Sequence, residues 1–283
     1  MDNNTLGVLT VVATPIGNLG DITPRAVETL AEADVIAAED TRRTLQLLNH
    51  LGIKNNLISY YRHNEEARVD YMLSLLEQGQ NIALVSDAGT PGISDPGQVL
   101  IQAATEAGYV VTMAPGPAAC IQALVLSGMD TNRFTFEGFL PLNKKNRRAR
   151  MAQLANETRT MIFYEAPHKL VNTLEDMQET WGAERRIALC RELTKLHEEI
   201  IRVTIGEALA MYEEVPPKGE FVIVVAGGEE VEETAELTNE GIVAAIQERI
   251  DAGMRLKDAS KEAAKALGIP ARDAYQIYID TLE

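Results

Sequence analysis

Short, almost continuously apolar runs alternate along the first part of the chain with stretches in which apolar positions recur every three or four residues. GVLTVVA leads to TPRAVETLAEA, DVIAAE to TRRTLQLLNHL and LISYY to NEEARVDYMLSLLEQ; NIALVSD, QVLIQAATEAG and YVVTMA complete the series. A continuous apolar run fits a strand buried on both faces, and the wider spacing fits a helix lying against it. Strand and helix in alternation predict an α/β fold built on a parallel or mostly parallel sheet. The first helix has a marked start, with Thr23 placed to cap it and Pro24 to open its first turn.

After APGPAACIQALVLSGM the rhythm changes. RFTFEGFLP, TMIFYEAP, RIALCREL, EEIIRVTIGEAL and GEFVIVVAG read as strands, often following one another without long helices, apart from a helix from His168 to about Glu179. A second, mixed αβ domain is therefore expected, with residues 1–118 forming the first and 119–226 the second. GGEEVEETAE, residues 227–236, reads as an acidic linker, and the remainder to residue 283 as two or three short amphipathic helices. Their breaks are expected at Ala252-Gly253 and Gly268-Ile269-Pro270, which gives a helix-turn-helix-like module.

Charge changes this picture in one place. The chain has 26 basic and 42 acidic side chains, a net of −16, which argues against nonspecific coating of nucleic acid. Yet LNKKNRRAR holds Lys144, Lys145, Arg147, Arg148 and Arg150 with no acid among them. A charge run is usually a solvated surface. Five cations concentrated in an acidic chain favour contact with RNA phosphates, on what reads as a basic loop. Cys120 and Cys190 lie far apart in apolar stretches and are expected as buried free thiols. The sequence offers no signal-peptide pattern, no run long enough to cross a membrane and no metal-type spacing of His, Cys and carboxylates, so a cytoplasmic protein without a metal is expected.

Three segments between a strand and a helix are rich in glycine and proline: ATPIGNLGD (13–21), DAGTPGISDPG (87–97) and APGPAA (114–119). Any one of them reads as a turn. Three at equivalent ends of one sheet predict a shared crevice, because ligands of open αβ sheets sit outside the carboxyl ends of the strands. The glycines do not follow G-x-G-x-x-G, and no G-x-x-x-x-G-K-[ST] occurs, which argues against a dinucleotide or a nucleoside triphosphate held by its phosphates.

ATPIGNLGDITPRA, AEDTRRT, VSDAGTPGISDPG, APGPAA and FYEAPHKL, in that order, resemble the tetrapyrrole methylase superfamily over roughly residues 8 to 226. The resemblance implies an S-adenosylmethionine-dependent methyltransferase whose cofactor is held between the two αβ domains, and a homodimer. Relatives that modify tetrapyrroles carry a G-x-G-P-G first loop and a Gly-Asp-Pro second loop, where this chain reads Thr14-Pro15-Ile16-Gly17-Asn18 and Gly89-Thr90-Pro91. These departures point to the branch that methylates the ribose 2′-oxygen of a cytidine in 16S rRNA, acting on the small ribosomal subunit. By the same resemblance, cofactor contacts are expected from Pro15, Asp87, Thr90, Ile93, Ala118, Ala119 and Tyr164. The alternatives are a methylase of a small tetrapyrrole-like molecule and a non-catalytic RNA-binding factor of ribosome assembly.

Methyl transfer to a hydroxyl needs alignment of the acceptor and a destination for its proton. FYEAPHKL puts Glu165 at a strand end and His168 and Lys169 at the following helix start, where they face a crevice or merely cap the helix. CRELTKLHEE groups Arg191 and Lys195 with acids, as surface ion pairs or, by the resemblance, as groups facing substrate or cofactor. Glu39, Asp40 and Arg42 of AEDTRRT sit where they would border the same crevice, and His63, Asn64 and Glu65 read as a capped helix start.

Overall fold

The computed structural model describes residues 6–213, 215–228 and 238–281. The chain divides into two compact units, Met1–Gly228 and Glu229–Glu283; most of the acidic linker expected at 227–236 lies outside the described residues.

The first half of the larger unit runs β1 (Val8–Val12), α1 (Pro24–Glu32), β2 (Val35–Ala38), α2 (Thr41–Leu51), β3 (Leu57–Ser59), α3 (Glu65–Glu77), β4 (Ile82–Val85), α4 (Gln98–Glu106) and β5 (Val110–Ala114). The five strands form one parallel sheet in the order β3-β2-β4-β1-β5. Alternate residues of each strand enter opposite cores. Leu9, Val11, Val35, Ala37, Ile82 and Leu84 meet α3 and α4 on one face, while Val12, Ile36, Ala38, Ala83 and Val85 meet α1 and α2 on the other. The helix after β1 thus covers one face and the helix after the adjacent β4 the other, which leaves a crevice between the carboxyl ends of those two strands. Thr23 caps α1 as expected, its hydroxyl accepting from the Ala26 N–H at 3.2 Å.

The second half runs α5 (Ala119–Ser127), β6 (Phe134–Phe139), α6 (Lys144–Gln153), β7 (Thr160–Glu165), α7 (Pro167–Trp181), β8 (Arg186–Arg191), β9 (Glu199–Thr204), α8 (Ile205–Met211) and β10 (Phe221–Val225). Its mixed sheet has the order β6-β7-β10-β8-β9. β6 pairs parallel to β7 and the other pairs are antiparallel. Met161, Phe163, Leu189 and Ile223 pack under α6 to α8, and Ile162, Ala188, Cys190 and Val224 pack under α5. The helix expected from His168 to about Glu179 is α7, 15 residues long, and β8 and β9 follow one another without a helix between them. The basic segment is likewise a helix and not a loop: α6 covers Lys144–Gln153, capped by Asn143 and anchored in the core by Met151.

The smaller unit is described over α9 (Asn239–Asp251), α10 (Leu256–Leu267) and α11 (Ala271–Asp280), which share a core of Ile242, Ile246, Ala259, Ala263, Ala274 and Tyr278. Gly268, at φ +67°, ends α10 at the second expected break. Among the described residues no helix is long and apolar enough to cross a membrane.

Candidate active site

The loops after β1, β2, β4 and β5 line one cleft of about 550 Å³ together with residues at the ends of β7, β8 and β10. That volume suits a small organic ligand. The glycine- and proline-rich loops are bonded to each other. Thr14 and Gly89 exchange two backbone hydrogen bonds of 2.9 Å, and the Thr90 hydroxyl donates to the Pro117 carbonyl at 3.1 Å. Gly89 has φ +81°, a conformation that favours glycine. Gly116 lies so close to the first loop that a Cβ there would stand 3.1 Å from Ala13 Cβ. Clearing side chains from these segments lets three loops meet.

One part of the lining is acidic. Glu39 ends β2, Asp87 and Asp95 follow β4, and all three line the cleft. The Asp87 N–H donates to Glu39 Oε2 at 3.2 Å and Asp87 Oδ1 accepts from the Asp40 N–H at 3.0 Å; Arg43 stands 3.3 Å from Asp87 Oδ2. Burial, with the neighbouring carboxylates adding to it, raises the pKa of Glu39 and of Asp95, against the lowering effects of Arg62 and, at Glu39, of the Asp87 N–H. Another part of the lining is aromatic and apolar. Tyr164 lies edge-on to Phe136 and Phe139 at 5.0 and 5.5 Å, and its hydroxyl accepts from the Cys120 N–H at 3.2 Å in the first turn of α5. Ala118, at the cap position of that helix, supplies no side-chain cap; with the Cys120 N–H given to Tyr164 and the Ile121 N–H to the Ala118 carbonyl, the helix start presents the Ala119 amide.

Of the residues expected at the cofactor, Asp87, Thr90, Ile93, Ala118, Ala119 and Tyr164 all line this cleft. Pro15 does not; its neighbour Ile16 takes that place, with its side chain against Gly89. Glu39 was legible as a strand-end acid, and Ser94 and Asp95 fall within the singled-out DAGTPGISDPG. Cys120 and Cys190 are both buried free thiols as expected, but nothing in their spacing foretold that both line the cleft. Burial pushes the Cys190 thiol up to about 12, which leaves it inert at neutral pH. Leu193 and Glu220 also reach the cleft, without a signal in the sequence.

His168 lines the cleft, at the first turn of α7. Glu165 lines it too, but its oxygens hold the turn: Oε1 accepts from the Ala166 N–H at 2.9 Å and Oε2 from the Thr173 hydroxyl at 2.7 Å. Lys169, Arg191 and Lys195 are outside the lining. Arg191 pairs with Glu199 across β8 and β9. Lys195 Nζ bonds Glu192 and Glu220 at 2.9 Å each, while its stem covers Gly17, where a Cβ would lie 2.4 Å from Lys195 Cγ. Glu192 and Thr194 hold φ +50° and +65°, and such strain in non-glycine residues is retained where the surroundings enforce it. Lys195 thus braces the turn from β8 against the first loop. His63 is not in the lining; Asn64 accepts from the Tyr61 N–H without capping α3, and Arg62 reaches the Ser94 carbonyl.

The cations of α6 are largely satisfied within the fold. Arg147 and Arg148 converge on Asp176, which is 1% exposed, at 2.6 and 2.7 Å. Arg148 also meets Glu179, and Arg150 binds Glu137. Lys144 and Lys145 are exposed. Of the five cations expected at RNA phosphates, the two lysines are exposed, while the three arginines staple α6 to α7 and β6.

The sequence matches the family model of Tetrapyrrole (Corrin/Porphyrin) Methylases over residues 8–209. A protein of Synechocystis described as ribosomal RNA small subunit methyltransferase I is 48% identical over 275 residues, covering 97% of this chain and 98% of its own length. A protein of the same description from Thermotoga maritima is 46% identical over 224 residues, 79% of this chain and 100% of its own length. Among solved structures, the methyltransferase CobJ superposes with a TM-score of 0.59 at 21% identity, covering 78% of this chain and 95% of that one.

Proposed function

The chain belongs to the tetrapyrrole (corrin/porphyrin) methylase family, and on that premise we propose that it is an S-adenosylmethionine-dependent methyltransferase of small-subunit ribosomal RNA whose acceptor is the ribose 2′-hydroxyl of a 16S rRNA cytidine. The observation that carries the cofactor assignment is the donor set of the cleft. Glu39, Asp87 and Asp95 suit a ligand with positive centres, the Ala119 amide at the N-terminal end of α5 suits a carboxylate, and Ile16, Ile93 and Tyr164 suit a flat apolar group. Asp87, Thr90, Ile93, Ala118, Ala119 and Tyr164 would hold it. The bound cofactor supplies an electrophilic methyl group. The relatives at 46–48% identity carry the ribosomal RNA description; this supports RNA over a tetrapyrrole as acceptor.

In this reading His168 receives the proton of the attacking hydroxyl. Glu165 fixes the β7–α7 turn that carries it, and Lys195 holds the β8 turn against the first loop. Lys144 and Lys145 are the α6 residues that meet phosphate. We place the protein in the cytoplasm with the small subunit. Its form is a homodimer, a reading supported by the apolar side chains left exposed on the edge strand β5 (Val110, Met113) and on α5 (Ile121, Val125).

The test is transfer of a labelled methyl group from S-adenosylmethionine to assembled small subunits, naked 16S rRNA and a tetrapyrrole precursor, followed by nucleoside analysis. The expected product is 2′-O-methylcytidine. Label on the tetrapyrrole alone overturns the acceptor assignment, and absence of transfer to any of the three overturns the enzyme assignment.

A further inference from the structure

Since the arginines of α6 are paired with Asp176, Glu179 and Glu137, that helix leaves only Lys144 and Lys145 open to a phosphate backbone, and a longer backbone contact needs positive charge elsewhere. The helices of the smaller unit present it in a row. On α10, Lys257, Lys261 and Lys265 recur every fourth residue and all are exposed. A rise of about 1.5 Å per residue sets them about 6 Å apart along one side of the helix. Among the described residues none of the three makes an ion pair or a side-chain hydrogen bond. The side of α10 formed by Ala259, Ala263 and Ala264 is buried within the unit, which fixes the direction of the lysine row.

Helix stability does not account for this placement. Lys265 in the last turn and Asp258 in the first suit the helix dipole, but Lys257 stands in the first turn and Arg255 at the cap position, where positive charge is unfavourable and no side chain caps the helix. An anion lying along the row offsets both. The Thermotoga maritima relative, matched over its whole length by 224 residues, is no longer than the larger unit alone. The smaller unit is therefore an addition to the methylase fold, as expected of a segment that adds grip and leaves the transfer chemistry to the cleft.

We infer that the lysine-bearing side of α10 is a contact surface for the phosphate backbone of the RNA substrate. This rests on the RNA reading above, and it commits to RNA because a row of unpaired cations in a chain of net charge −16 complements a polyanion.

The experiment uses the full chain carrying Lys257→Ala, Lys261→Ala and Lys265→Ala together, with a triple arginine variant as control. Affinity for naked 16S rRNA and for assembled subunits is measured across a salt series, beside S-adenosylmethionine affinity and the thermal midpoint. The expected result is a loss of about tenfold or more in RNA affinity at low salt and a fall of about 2 to 3 in the log–log salt slope. Cofactor affinity and midpoint stay unchanged, and the arginine variant retains binding. Unchanged RNA affinity and slope in the alanine variant overturn the inference. Loss on subunits without loss on naked RNA also overturns it, because the partner is then a ribosomal protein. If the unaltered chain binds the cofactor but no RNA, the substrate reading itself falls.

Discussion

Glu39 holds its charge at some expense to the fold. Its carboxyl is pushed up by burial first, then by Asp95 and Asp87, so the folded protein binds that proton more tightly than the unfolded chain does. Stability therefore declines as pH rises from the ordinary value of 4.5 through the folded one. Glu39→Gln should raise the thermal midpoint at neutral pH, with the gain vanishing on acidification below about pH 4. It should also weaken S-adenosylmethionine binding, about tenfold for one lost charge-assisted contact. Calorimetric scans at two pH values and a cofactor titration check both signs. His168 differs, being exposed at a helix start, so His168→Ala should leave the midpoint near its original value while lowering kcat by about a hundredfold or more in single-turnover transfer assays. Most of this lining was legible because the quoted loops carry it. Pro15 lies outside the lining, and only the folded turn shows that its neighbour Ile16 reaches the cleft.

The α6–α7 pair shows why an element can be misread when its residues are not. Lys144 to Arg150 were recognised as cationic, but Asp176 and Glu179, which hold the arginines, lie 28 to 31 residues downstream and carry no local sign of the pairing. The strands were readable because their period is local, as Ile36 and Ala37 turning to opposite cores demonstrates. Burial raises the pKa of Asp176, but Arg148 and Arg147 outweigh it and hold the carboxyl below its ordinary value of 3.8. The stability it contributes is present above that pH and lost as pH falls through the folded value. Asp176→Ala, which strands the mostly buried Arg147, should cost about 3 kcal/mol in urea denaturation and flatten the acid limb of the stability profile. Arg147→Ala with Arg148→Ala would unpair Asp176 in turn, so Lys144→Ala with Lys145→Ala is the cleaner probe of RNA contact on this helix.

For the whole molecule, a net charge of −16 coexists with an RNA substrate only if cations are confined to chosen surfaces, which α6 and α10 illustrate in different ways. Apolar exposure is confined as well. Val125 on α5 is 66% exposed, and Val125→Glu should shift the proposed dimer to a monomer in sedimentation velocity without altering the circular dichroism spectrum.

The order of strands in the second sheet has a consequence for how the protein comes off the ribosome. β1 to β5 are complete by residue 114, so the first sheet has all its members early in synthesis. The second places β10, its last strand in sequence, in the middle, between β7 and β8. Tyr164 on β7 and Cys190 on β8 border the cleft, yet they belong to strands that are joined only through Phe221–Val225. A nascent chain therefore has no finished cleft until that segment emerges and inserts between its neighbours, and catalytic competence arrives as a late, all-or-none event of translation.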